Sequence, residues 1–118
     1  MNPRVKALYV TALRSGEYEA GEYYLKANGE HSALGVLCSV AVMDGVVEWI
    51  PSHDEDGSYY VGKELNNILL PAEVLAWAEL KSPQFELPSM TAKHYRSITM
   101  EEEDKTFKEI ADIVEEEL

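Results

Sequence analysis

A chain of 118 residues with 22 acidic and 10 basic side chains carries a formal charge of −12 at pH 7. That balance argues against a phosphate-backbone binder, which needs a basic patch to displace counterions, and against docking on anionic lipid. With 46% hydrophobic residues the chain is globular in composition. At this length it can bury roughly two-thirds of its unfolded surface without a metal or disulfide.

Asn2-Pro3 marks a helix start, because Asn caps well and Pro at the first helical position loses only an orphan amide. Val5, Leu8, Tyr9 and Leu13 recur at helical spacing, and Gly16 supplies the stop. A first helix is expected over about residues 3–15. Asn28-Gly29 is a strong hairpin signal, and it predicts strands over 22–27 and 30–33. The run from Leu34 to Asp44 is almost continuously apolar and too long for a typical strand, so it predicts a buried helix.

Val46 to Ile50 reads as a strand ended by Pro51, and Ser58 to Val61 as its return across the polar turn Ser52–Gly57. Pro71 starts another helix with Glu73 in its first turn and Val74, Leu75, Trp77, Ala78 and Leu80 on its packing face. Residues 81–97 read as an irregular connection, with one helical turn allowed over Ser89–Arg96. Thr106-Phe107-Lys108-Glu109 is a capping box that opens a last helix over about 107–117. No repeat or linker interrupts the chain. The expected fold is a single small α+β domain, about four helices with one or two short β-hairpins.

The chemistry-bearing residues are few. Cys38 is the lone cysteine and excludes an internal disulfide, which fits a reducing compartment. It falls within the apolar run, where a cysteine acts as a small hydrophobe rather than a nucleophile. His31, His53 and His94 are too far apart for ligand spacing, and each reads as a surface or loop imidazole. Asp54-Glu55-Asp56-Gly57-Ser58 lacks the spacing of a helix–loop–helix calcium loop and reads as a solvated hairpin tip. No cofactor and no metal are expected. The polar N-terminus lacks the apolar core of a signal peptide, and the longest apolar stretch is half a membrane span. The expected location is therefore the cytoplasm, that of the host if the chain is phage-encoded.

The acidity is concentrated. Thr99 to Leu118 holds nine acids and two lysines, a net −7 of the −12. Glu101, Glu102, Glu103 and Asp104 precede the last helix, where its dipole favours them. Glu115, Glu116 and Glu117 sit at its C-terminal end, where the dipole does not. These two groups are candidates for a partner surface. Trp49 and Trp77 read as core. Tyr23-Tyr24 and Tyr59-Tyr60 are adjacent pairs, of which one member each points outward on a strand. Outward Tyr59 or Tyr60 would serve as an aromatic anchor.

Four islands of sequence carry a family resemblance: Thr11-Ala12-Leu13-Arg14-Ser15-Gly16-Glu17-Tyr18, Leu34-Gly35-Val36-Leu37-Cys38, Leu70-Pro71-Ala72-Glu73-Val74 with Trp77, and Thr106-Phe107 to Ile110-Ala111-Asp112. In this order the chain resembles a group of small uncharacterised proteins of bacteriophages, prophages and bacteria, many actinobacterial. That group tends to show Cys-Cys-Leu-Gly-Val-Leu-Cys-Asp, where this chain has Ser32-Ala33-Leu34-Gly35-Val36-Leu37-Cys38-Ser39. It also tends to show Asn-Asp-x-Gly-x-Ser-Phe, where this chain has Glu101 to Phe107. The resemblance implies a phage-type origin and a fold, and any metal or redox role of those cysteines would be lost here.

The expected function is a non-enzymatic accessory protein that binds a host or phage protein with a basic surface. A narrower form is a nucleic-acid mimic that inhibits a host defence or DNA-binding enzyme. Two other classes stay open: a small enzyme or ligand-binding protein using Cys38 or a histidine, and a self-associating structural protein.

Overall fold

A computed structural model describes residues 1–21, 23–81 and 105–118. The readings for 82–104, including the irregular connection, the turn over Ser89–Arg96, His94 and the acids Glu101–Asp104, lie outside the described residues.

Helix α1 (Pro3–Arg14) is capped by Asn2, whose side-chain oxygen accepts from the Arg4 and Val5 amides at 3.0 and 3.1 Å. It buries Val5, Tyr9, Val10 and Leu13. Strands β1 (Glu19–Ala20), β2 (Lys26–Ala27) and β3 (Glu30–His31) form one small sheet in the order β1-β3-β2. The hairpin around Asn28-Gly29 is present, with Lys26 opposite His31 and Ala27 opposite Glu30. Its arms are shorter than 22–27 and 30–33. Tyr23 takes a left-handed backbone (φ 74°), which interrupts an extended run, and Ser32 is spent on capping the next helix. The parallel partner β1 is an addition to the expected hairpin.

Helix α2 (Ala33–Met43) is the centre of the molecule. The Ser32 Oγ accepts from the Gly35 amide at 3.1 Å. Every residue from Ala33 to Ala41 is buried, as the unbroken apolar run predicts. A Cβ on Gly35 would lie 1.7 Å from the Leu25 carbonyl oxygen, so the helix touches the Leu25 backbone directly. The helix ends in a Schellman motif: the Gly45 amide bonds Val42 and the Val46 amide bonds Ala41, at 3.1 and 2.9 Å, with Gly45 at φ +77°.

That motif explains a correction. The strand expected over 46–50 is instead β4 (Trp49–Pro51), because Val46 belongs to the helix cap. Pro51 is the last residue of the strand rather than the first beyond it, and pairs opposite Tyr59 of β5 (Tyr59–Val61). A two-stranded sheet is all edge, and an edge tolerates the missing amide. The β-bridge Ala27–Ser58 joins the two sheets.

Helix α3 (Ala72–Ala78) begins one residue after Pro71, which occupies the N-cap position. Its last carbonyl, that of Ala78, accepts from the Asn2 amide at 2.9 Å, so α1 starts on the end of α3. Helix α4 (Phe107–Glu117) carries the expected capping box between Thr106 and Glu109 and buries Ile110, Ala111 and Val114. Among the described residues there are thus four helices and two small sheets, an α+β fold. The helices α1, α2 and α4 enclose one core that includes Tyr9, Leu34, Leu37, Ile110 and Val114.

Candidate functional site

The stripe of α1 that faces away from the core is exposed. Between it and the C-terminal end of α2 runs an open groove of about 660 Å³. Arg4, Leu8, Thr11 and Ser15 line it at helical spacing, and Val40 and Met43 line it from α2. Two of these are large apolar side chains left in water: Leu8 is 38% exposed and Met43 is 82% exposed. Met43 is unbranched and adapts its shape to what it meets. Each end of the groove carries polar groups. At one end Arg4 donates to both oxygens of Asp44, at 3.0 and 2.6 Å. At the other lie Glu17 and Tyr18.

Behind Tyr18 the aromatic side chains continue in a chain of near-perpendicular contacts. The Tyr18 and His31 rings lie 5.1 Å apart, His31 and Trp49 6.1 Å, and Trp49 and Tyr59 6.3 Å. Edge-to-face contact is the favoured geometry for such rings. The Trp49 Nε1–H donates to Ser39 Oγ at 3.2 Å, which fixes the indole on α2. The Lys26 ammonium sits over Tyr59 at 4.5 Å and over Trp49 at 5.5 Å. Such cation–π contacts are worth roughly 0.5–2 kcal/mol, more as water is excluded.

His31 is the correction this cluster forces. It is buried, 8% exposed, rather than a surface imidazole. The hairpin pairing turns it inward beneath Tyr18 and Trp49. Its Nδ1 is buried without a hydrogen-bond partner among the described residues. Burial, and then the positive charge of Lys26, lower its pKa to about 4, so the ring is neutral at physiological pH. Burial also raises the Tyr18 pKa.

The other sequence candidates fall as follows. Cys38 is fully buried, and burial pushes its thiol well above the ordinary range. No His53 partner stands near it among the described contacts. Glu115 is not a free carboxylate: Arg14 bonds it at 2.8 Å and Asp112 at 2.7 Å, tying α1 to α4. That pair answers the unfavourable dipole position of Glu115. Glu116 is exposed and Glu117 half-exposed. Tyr59 and Tyr60 are both half-buried, so neither points fully outward. Tyr59 faces the Lys26 ammonium and Tyr60 pairs opposite Ile50. Trp49 and Trp77 pack on the core from its margin, and Trp77 donates to Asp44 Oδ2 at 2.9 Å. In the loop before β5, Asp56 is pinned by the Ser58 amide at 3.0 Å and the Tyr24 hydroxyl at 2.8 Å. These bonds lower the Asp56 pKa, those from Ser58 most. No group of three or more potential metal ligands gathers among the described residues. No helix of the described residues is long and apolar enough to cross a membrane.

Sequence reasoning missed Lys26 and the burial of His31. A tight turn at Asn28-Gly29 already sets Lys26 opposite His31, so that pair was readable from the register. The Trp49–Tyr59 contact depends on the second hairpin folding back to the first, which no local signal reports.

The fold is thus an α+β domain built around one helix buried from Ala33 to Ala41, with a groove and an aromatic cluster at its margin. The chain belongs to the family described as Domain of unknown function (DUF8296), which matches residues 1–118. No curated protein and no solved structure matches it.

Proposed function

We propose that this chain is a non-enzymatic accessory protein that binds a basic protein partner, with the α1–α2 groove as the apolar part of the contact. The observation that carries the reading is that Leu8 and Met43, both exposed, line one groove of about 660 Å³ on a chain of charge −12. An apolar groove on an acidic chain fits an amphipathic segment whose apolar anchors are flanked by Lys and Arg. The length suits it: α1 spans 12 residues, about 18 Å at 1.5 Å per residue. The negative field speeds encounter with such a partner, and the apolar contact holds it. The buried, unreactive Cys38 weighs against the enzyme reading. The resemblance to phage and prophage proteins supports a phage-encoded chain acting on a host or phage protein in the cytoplasm.

The test compares the wild type with a Leu8→Glu/Met43→Glu variant. Proteins recovered from a host lysate by each are identified, purified and titrated directly by calorimetry. The expected result is a basic partner bound by the wild type, weakened at least tenfold in the variant, with an association rate that falls as salt rises. Equal affinity for wild type and variant would overturn the groove as the contact. A partner with no basic surface, or none from either bait, would overturn the function.

A further inference from the structure

The corner between Trp49 and Tyr59 already holds a cation. The two rings stand at 73°, with centroids 6.3 Å apart, so their faces converge on one point. The Lys26 Nζ occupies that point, 4.5 Å from the Tyr59 centroid and 5.5 Å from the Trp49 centroid. Lys26 makes no ion pair among the described residues, although the chain carries 22 acids. The ion pairs described belong to Arg4 and Arg14. Among the described residues, aromatic faces rather than a carboxylate hold this lysine. The walls are held independently of it: Trp49 by its bond to Ser39, and Tyr59 by its pairing with Pro51. His31 adds a third ring beside Trp49 and is kept neutral, so it does not repel a cation there.

We propose that the Trp49–Tyr59 corner is a recognition site for an alkylammonium group of a ligand, and that Lys26 is its resident placeholder. The ligand class is a methylated or quaternary ammonium. A primary ammonium on a flexible stem is strongly hydrated and leaves for water readily. A methylated ammonium is less hydrated and keeps more of its attraction to an aromatic face. Both Trp49 and Tyr59 are half-buried, so the corner is reachable from solvent once Lys26 swings aside. The net charge of −12 raises the local concentration of any cation. This site stands on its own observations and does not depend on the protein partner proposed above.

Tetramethylammonium chloride, titrated against sodium chloride of equal ionic strength, is the probe. Proton NMR reads the probe's methyl resonance, which moves upfield over aromatic faces, and the Trp49 indole resonance. Removing the placeholder with Lys26→Ala should give saturable binding, about tenfold tighter than wild type. Lys26→Arg keeps a cation in the corner and should stay at the wild-type level. Adding Tyr59→Leu to Lys26→Ala should abolish saturation. Lys26→Ser repeats the comparison if the alanine variant does not fold. The proposal is overturned if the Lys26→Ala or Lys26→Ser protein, with its indole resonance intact, shows no saturable shift. It is equally overturned if binding is the same with and without Tyr59, because the cation would then sit on surface carboxylates.

Discussion

Arg4 closes on Asp44 with both arms of its guanidinium, Nη2 to Oδ1 at 2.6 Å and Nη1 to Oδ2 at 3.0 Å. The pair joins the first turn of α1 to the C-cap of α2, and the Trp77 indole adds α3 to the same carboxylate. Three helices therefore report to one side chain. The Arg4 hydrogen bonds first, then that from Trp77, pull the Asp44 pKa down to about 2.

The consequence is an acid-sensitive joint. A carboxylate whose folded pKa lies below its ordinary value of 3.8 adds stability above that value. The contribution is lost as pH falls from 3.8 through about 2. Asp44→Asn should therefore flatten the fall of the urea midpoint between pH 4 and pH 2, as followed by circular dichroism. An unchanged acid limb in the variant would show that Asp44 is not the joint.

His31 acts in the adjoining window. Its folded pKa of about 4 lies below the ordinary 6.5, so the fold favours the neutral ring. Stability is full above pH 6.5 and falls as pH drops from there towards 4. The charges and rings facing it are Lys26 across the hairpin, Tyr18 above and Trp49 beside it. His31→Phe should remove the slope between pH 6.5 and 4 while leaving the limb below 4. Nitrogen-15 NMR of the imidazole reads the titration directly. A midpoint near 6.5 would refute its burial as a neutral ring.

Gly35→Ala tests the contact of α2 with the Leu25 backbone. An added Cβ would stand 1.7 Å from the carbonyl oxygen, and backbone cannot step aside as a flexible side chain does. The cost should be about 3 kcal/mol or more, at the upper end of overpacking effects. Ala has the better helix propensity, so a gain in urea midpoint would mean the approach is looser than described.

Cys38 gives a rapid check on the enzyme reading. With no exposed surface and a raised pKa, it should react with a disulfide reagent about a hundredfold or more slower in the native protein than in urea. Rapid stoichiometric labelling of the native thiol would reopen the nucleophile.

The helices were legible because each carries its own punctuation. Asn2-Pro3, the apolar run from Leu34 and the Thr106–Glu109 box act within the helices they mark or at their ends. The turn at Asn28-Gly29 was legible for the same reason. The strands were not, because they are two or three residues long and owe their limits to outside claims. Val46 is taken by the α2 cap, Ser32 by the α2 start, and β1 exists only because β3 offers it an edge. The candidate site shows the same division. The buried Cys38 followed from its neighbours, whereas the groove, the Arg14–Glu115 bond and the Trp49–Tyr59 corner each join segments remote in sequence.

Helix α2 has no solvent-facing stripe from Ala33 to Ala41. Its amides can meet water only when the surrounding helices come away, so its hydrogen exchange should report the opening of the whole molecule rather than of a part. Val40 and Met43, near its C-terminal end, also line the groove, so the segment that reports global opening also forms one wall of the candidate contact.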